Sequence, residues 1–68
     1  MQTYTHLPHY LFRDNKRLGY NRSFDTLAVA RKFAKSLKDK SMYFAPLTQI
    51  RKVRLLGKVS YAVYSTWH

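Results

Sequence analysis

The chain contains no cysteine and no glutamate, and only two glycines and two prolines. Without cysteine, neither disulfides nor thiolate-bound zinc can reinforce the fold. Gly19 and Gly57 are too few and too far apart for a glycine-rich phosphate loop. The three acids, Asp14, Asp25 and Asp39, are scattered, so the sequence holds no carboxylate pair for acid–base hydrolysis. His6, His9 and His68 sit near the termini and offer no positioned base for a nucleophilic triad. His6 and His9 are two ligand types with nothing beside them to complete a metal set, so they read as surface histidines. Neither a metal nor a cofactor is expected. No apolar run approaches the ~20 residues of a membrane-spanning helix. Residues 1–6 show no basic segment followed by an apolar one, the mark of a secretory signal, so a cytoplasmic protein is expected.

What the chain does have is positive charge. Over 68 residues it carries 13 Lys plus Arg against three acids, a formal charge of +10. An apolar fraction of 46%, with six tyrosines, four phenylalanines and one tryptophan, is too high for a disordered basic tail. No repeat, low-complexity tract or linker divides it, so 1–68 is expected to form one domain. A domain this short hides only about 60% of its unfolded surface, which predicts modest stability.

The clearest element is a helix over 26–39. Asp25 suits the N-cap, because its carboxylate can accept from the free N–H groups of the first turn. Phe24 and Val29 have the spacing of a hydrophobic staple around it. Leu27, Ala30, Phe33, Ala34 and Leu37 recur at three- and four-residue steps and share a face. Before the helix, 9–13 and 18–22 flank the polar stretch 14–17 and read as a β-hairpin. After it, 41–45 suggests a short extended piece, and 49–56 and 59–67 read as two strands. Gly57-Lys58 suits a type II′ turn between them, which would set Arg54 opposite Tyr61 and Lys52 opposite Val63. The expected fold is α+β: a small antiparallel sheet of three or four strands with one helix packed on one face, in the order β(β)-α-β-β. That design leaves a sheet face and an edge strand for a second copy to cover, which makes room for a homodimer.

The cations fall into groups. Arg31, Lys35 and Lys38 lie at i, i+4 and i+7, away from the apolar stripe, with Lys32 bordering them. A solvated helix built for its own stability would interleave acids here, since opposite pairs contribute about 0.2–0.5 kcal/mol and like pairs cost as much. Arg51, Lys52 and Arg54 form a second group, and Arg13, Lys16, Arg17 and Arg22 a third. Cations left unneutralised in this number point to phosphate, whose condensed counterions are released on binding. Tyrosines lie among them, and Tyr64 is placed with Arg51 on one sheet face as a residue able to stack on unpaired bases. The candidate nucleic-acid-binding set is therefore Arg31, Lys32, Lys35, Lys38, Arg51, Lys52, Arg54 and Tyr64. The one enzyme class that passes the screen is the small ribonuclease toxin, which cleaves RNA with Arg, Lys, His and Tyr. No local motif carries such residues over, and no enzyme is expected.

With the run Ser23-Phe24-Asp25-Thr26-Leu27-Ala28-Val29-Ala30 leading into the helix and Leu56-Gly57-Lys58-Val59 closing the chain's last hairpin, the sequence resembles short phage-encoded host-takeover proteins. The likeness is to anti-CRISPR proteins and inhibitors of host toxins or nucleases, and it lies in size and in element order. It implies stoichiometric binding, in some cases to ribonucleoprotein complexes or nucleic acid. Mimicry of DNA by an acidic surface is excluded at +10. Two readings follow. The first is a small basic module that engages RNA, DNA or a nucleic-acid-containing complex. The alternative is an inhibitor that docks on an acidic surface of a host protein, with charge speeding encounter and aromatic side chains holding the complex.

Overall fold

The computed structural model describes residues 2–39 and 46–66. In chain order the elements are β1 (Thr3–Tyr4), β2 (Tyr10–Arg13), β3 (Lys16–Phe24), α1 (Leu27–Asp39), β4 (Thr48–Leu55) and β5 (Lys58–Thr66). The extended piece expected over 41–45, together with Lys40, Tyr43, Trp67 and His68, lies outside the described residues.

The α+β class with a single helix holds, but the sheet differs from expectation. It has five strands in the order β1-β4-β5-β3-β2, and it is mixed, because β1 runs parallel to β4. A two-residue strand has no alternation to read, and its partner lies at the far end of the sequence. β2 and β3 form the expected hairpin with a tighter turn. Asp14 and Asn15 both take positive φ (52° and 63°), as a two-residue type I′ turn requires, and both side-chain types tolerate that region. Lys16 and Arg17 therefore belong to β3. The second hairpin also closes with a type I′ turn, at Leu56 (φ 52°) and Gly57 (φ 76°), in place of type II′ at Gly57-Lys58. Lys52 pairs with Tyr61 and Arg54 with Val59. The slip is two residues along β4, an even number, so the residues expected to share a face still share one.

The helix begins one residue later than expected, and its cap is Thr26. The Val29 N–H donates to Thr26 Oγ1 at 3.3 Å, while Asp25 pairs with Lys58 Nζ at 3.5 Å on the open surface. The staple does not form, since Val29 is half-exposed and Phe24 packs instead on Phe33, ring centroids 5.1 Å apart. Ala30 and Ala34 face the sheet and allow close approach to Val63, flanked by Phe24, Phe33, Leu37, Ile50 and Tyr61.

A β-bulge explains how β3 serves both sides of the sheet. Tyr20 pairs with Tyr64 and Arg22 with Val63, leaving Asn21 as the extra residue. Asn21 Nδ2 donates to Ser65 Oγ at 2.6 Å and so holds the irregularity in place. Leu18 and Tyr20 consequently face away from the helix, whereas Phe24, of the same parity, faces it.

The sheet face away from the helix is covered, contrary to expectation. Leu11, Leu18, Val53, Ala62 and Tyr64 form its core, with Leu7, Tyr20 and Leu47 packed against them. The strap over 5–9 crosses this face from β1 at one edge to β2 at the other. The Tyr64 hydroxyl donates to the Pro8 carbonyl at 2.6 Å, Tyr20 N–H donates to the His9 carbonyl at 3.0 Å, and the Arg51 guanidinium lies 4.0 Å from the centre of the Tyr4 ring. The sheet curls as it is covered. β2 and β4 would stand about 14 Å apart in a flat sheet, yet Arg13 Nη1 donates to the Thr48 carbonyl at 2.8 Å. With this face filled, the argument for a homodimer from an open sheet face loses its basis, although the edge of β2 remains.

Burial pushes the Tyr64 hydroxyl above its ordinary value of 10.0, with the Arg51 charge pulling the other way. A raised native value means that the unfolded chain ionises first, so the stabilisation by Tyr64 is complete below pH 10 and fades as the pH rises beyond it. Tyr64→Phe should lower stability by about 1 kcal/mol at neutral pH, and the gap to wild type should narrow in thermal melts above pH 10. Equal melting temperatures at pH 7 and parallel alkaline limbs would show that the Pro8 bond does not anchor the strap.

Candidate nucleic-acid interface

The helix lies over β5, with β3 on one side and β4 on the other. Phe33 leans toward β3, where it meets Phe24. At 100° per residue, the flank opposite Phe33 carries Arg31, Lys35 and Lys38, and this flank therefore overlooks β4. The right-handed sense of nearly all crossovers between parallel strands, here β3 to β4 through the helix, gives the same arrangement. On β4 the residues that point to the helix side are Ile50, Lys52 and Arg54, since Ile50 packs against the helix and the pleat alternates. Lys52 stands opposite Tyr61 and Arg54 opposite Val59. The two basic groups nearest in sequence to the helix and to β4 thus meet along one junction. Arg31, Lys35, Lys38 and Arg54 are exposed and Lys52 is half-buried. Lys32 is exposed on the outer crest of the helix, beside this flank.

One acid stands near these cations, Asp39, four residues after Lys35, and among the described residues it forms no ion pair with them. Asp14 sits in the β2–β3 turn, Asp25 is taken by Lys58, and Asp39 is the last helical residue. Among the described residues, Lys58–Asp25 is the one ion pair formed, and a pair so exposed contributes little. The junction is a ridge-and-strand surface of five like charges, able to follow a line of phosphates. Among the described residues there is no group of three metal-ligating side chains.

Two residues of the candidate set are placed elsewhere. Arg51 belongs to the opposite face of β4, where its guanidinium stacks on Tyr4 beneath the strap and its Nε is buried without an acceptor among the described residues. Tyr64 is 0% exposed, with its hydroxyl engaged by Pro8 and its ring edge-on to Tyr20 at 5.7 Å. A base cannot stack on it. Alternation alone separates Arg51 from Lys52 and Arg54, but the strap that buries Arg51 and Tyr64 is set by a strand pairing no local pattern reveals. The third basic group lies at the other edge and is exposed: Arg17 lies 4.6 Å from the Tyr10 ring, Arg22 lies 5.5 Å from Phe24, Arg13 holds β4, and Lys16 stands beside the β2–β3 turn.

The structure also exposes apolar side chains that composition does not single out. Leu56 is fully exposed, Leu55 lies beside it, and on β2 Phe12 is 76% exposed next to Tyr10. An apolar residue inside a predicted turn, as Leu56 is, is the sequence signal that could have found the first of these.

Comparison of the chain with protein-family models, with curated proteins and with solved structures finds no match.

Because Arg31, Lys35 and Lys38 repel one another, the free protein should gain from screening. Lys35→Glu should raise stability by a few tenths of a kcal/mol at low salt, and added NaCl should raise the wild-type melting temperature more than that of the variant. A lower melting temperature for Lys35→Glu at low salt would mean that the flank is balanced by acceptors and carries no stored repulsion.

Proposed function

We propose that the protein is a small, non-enzymatic binding module that engages nucleic acid, or a complex containing it, through the junction of α1 and β4. The observation that carries this reading is the alignment of Arg31, Lys35, Lys38, Lys52 and Arg54 along one surface with Asp39 alone to set against five cations, and with no ion pair among the described residues there. Like charges brought together cost stability in the free protein, and a polyanion turns that cost into binding through counterion release. Contacts of this kind are made to phosphates, so affinity depends weakly on base sequence. The resemblance to phage-encoded modulators of host machinery is in keeping with stoichiometric action in the cytoplasm.

Docking on an acidic protein surface is the competing reading, and the two diverge in titration. Labelled single- and double-stranded oligonucleotides should bind with dissociation constants of about 10⁻⁶ to 10⁻⁴ M, and about five phosphate contacts give a log–log salt slope near −4.5 on duplex. Arg31→Glu/Lys35→Glu, which relieves repulsion and should fold at least as well, should abolish binding. No association at low salt, or binding indifferent to that double substitution, would move the assignment to a protein partner.

A further inference from the structure

The β4–β5 hairpin reaches beyond the rest of the sheet. β1 pairs with β4 only as far as Val53, and β3 pairs with β5 only from Tyr61 onward. Past those points the two strands continue as a two-stranded ribbon through the pairs Arg54–Val59 and Leu55–Lys58. At about 3.3 Å per residue this projects roughly 7 Å. Its tip is Leu55-Leu56-Gly57. Leu56 is fully exposed and has φ of 52°, a region that leucine rarely adopts and that asparagine or glycine occupies easily. Nothing lies within 4 Å of a Cβ built on Gly57. The tip is therefore unfavourable for the free protein twice over, in backbone conformation and in apolar exposure, and strain of this kind concentrates where a partner is met. Cations flank it on both sides: Arg54 projects from the helix side of the ribbon, and Lys58, paired across the strands with Leu55, from the other, where it holds Asp25 in an exposed ion pair that contributes little.

We infer that this ribbon is a wedge, entering a groove of a nucleic-acid duplex and pressing Leu56 between two stacked base pairs. The inference rests on the nucleic-acid reading of the α1–β4 junction, with which Arg54 makes the tip continuous. In a groove a phosphate backbone runs along either wall, so Arg54 meets complementary charge on one side, and Lys58 on the other once it exchanges the exposed Asp25 for a phosphate. One leucine is enough to unstack one base step, and apolar side chains used in this way kink the duplex. A bilayer is the other environment that takes an apolar tip ringed by cations, but two leucines bury far less than the long acyl chain that by itself gives only marginal membrane attachment.

The test uses a short duplex with a dye at each end and 2-aminopurine at central positions, with binding followed separately by anisotropy. Wild type should bind, brighten the 2-aminopurine by unstacking it, and shorten the end-to-end distance as a kink of about 20–90° requires. Leu56→Asn, which suits the turn better, should bind with close to wild-type affinity while both signals are lost. Binding by wild type without brightening or kinking, or an equal kink with Leu56→Asn, overturns the wedge and leaves the phosphate-binding reading standing. Absence of duplex binding by wild type overturns the wedge, and absence of single-strand binding as well overturns the phosphate-binding reading. Binding to phosphatidylserine vesicles that Leu56→Asn abolishes, with the duplex signals unchanged between the two proteins, overturns the wedge in favour of a lipid surface.

Discussion

β5 is the strand on which everything else is hung, and it has to be covered on both faces. Ala62, Val63 and Tyr64 are successive residues that alternate between the two sides of the sheet, and all three are fully buried. A chain of 68 residues has one helix to spend on this, and the helix covers only the Val63 side. The Ala62 and Tyr64 side is closed by nine or so residues at the N-terminus, which pair along β4, cross the sheet as a strap and enter β2. Tyr64 is the fixing point, since its ring is edge-on to Tyr20 and its hydroxyl holds the Pro8 carbonyl. Burying a tyrosine hydroxyl is costly unless it finds an acceptor, and the strap supplies one.

This two-sided closure decides what each cation can do. Arginines on the strap side or near the β2–β3 edge are drawn into the fold: Arg51 over Tyr4, Arg17 over Tyr10, Arg13 on the Thr48 carbonyl. Arginine suits such places because its planar, weakly hydrated group stacks and forks. On the α1–β4 side Lys35, Lys38, Arg31 and Arg54 are exposed and form no ion pair among the described residues, and their charge is left for solvent or for a partner. The division between structural and available charge thus follows from which face of which strand a residue occupies.

Much of this was legible beforehand, where local rules act alone. The helix could be read because Ala30, Phe33, Ala34 and Leu37 keep one period, and the unneutralised flank because Arg31, Lys35 and Lys38 share another. The faces of β4 and β5 survived an error in the turn, since a shift of two residues preserves alternation. What could not be read depended on distant pairing. Thr3–Tyr4 becomes a strand only because β4 offers it an edge, and the Asn21 bulge that turns Phe24 toward the helix is held by Ser65. The fates of Arg51 and Tyr64 follow from that same distant strap. The N-cap fell to Thr26, one residue past the position the local pattern favoured, while Asp25 faces Lys58, brought near by the last hairpin.

The account turns on where a polyanion sits. Titrating an unlabelled oligonucleotide into ¹⁵N-labelled protein and following amide shifts tests this most directly. The shifts should concentrate at Arg31, Lys35, Lys38, Lys52 and Arg54, and spare Tyr4, Arg51 and Tyr64 under the strap. Perturbations centred on Tyr10, Phe12 and the β2 edge, or none at low salt, would contradict it.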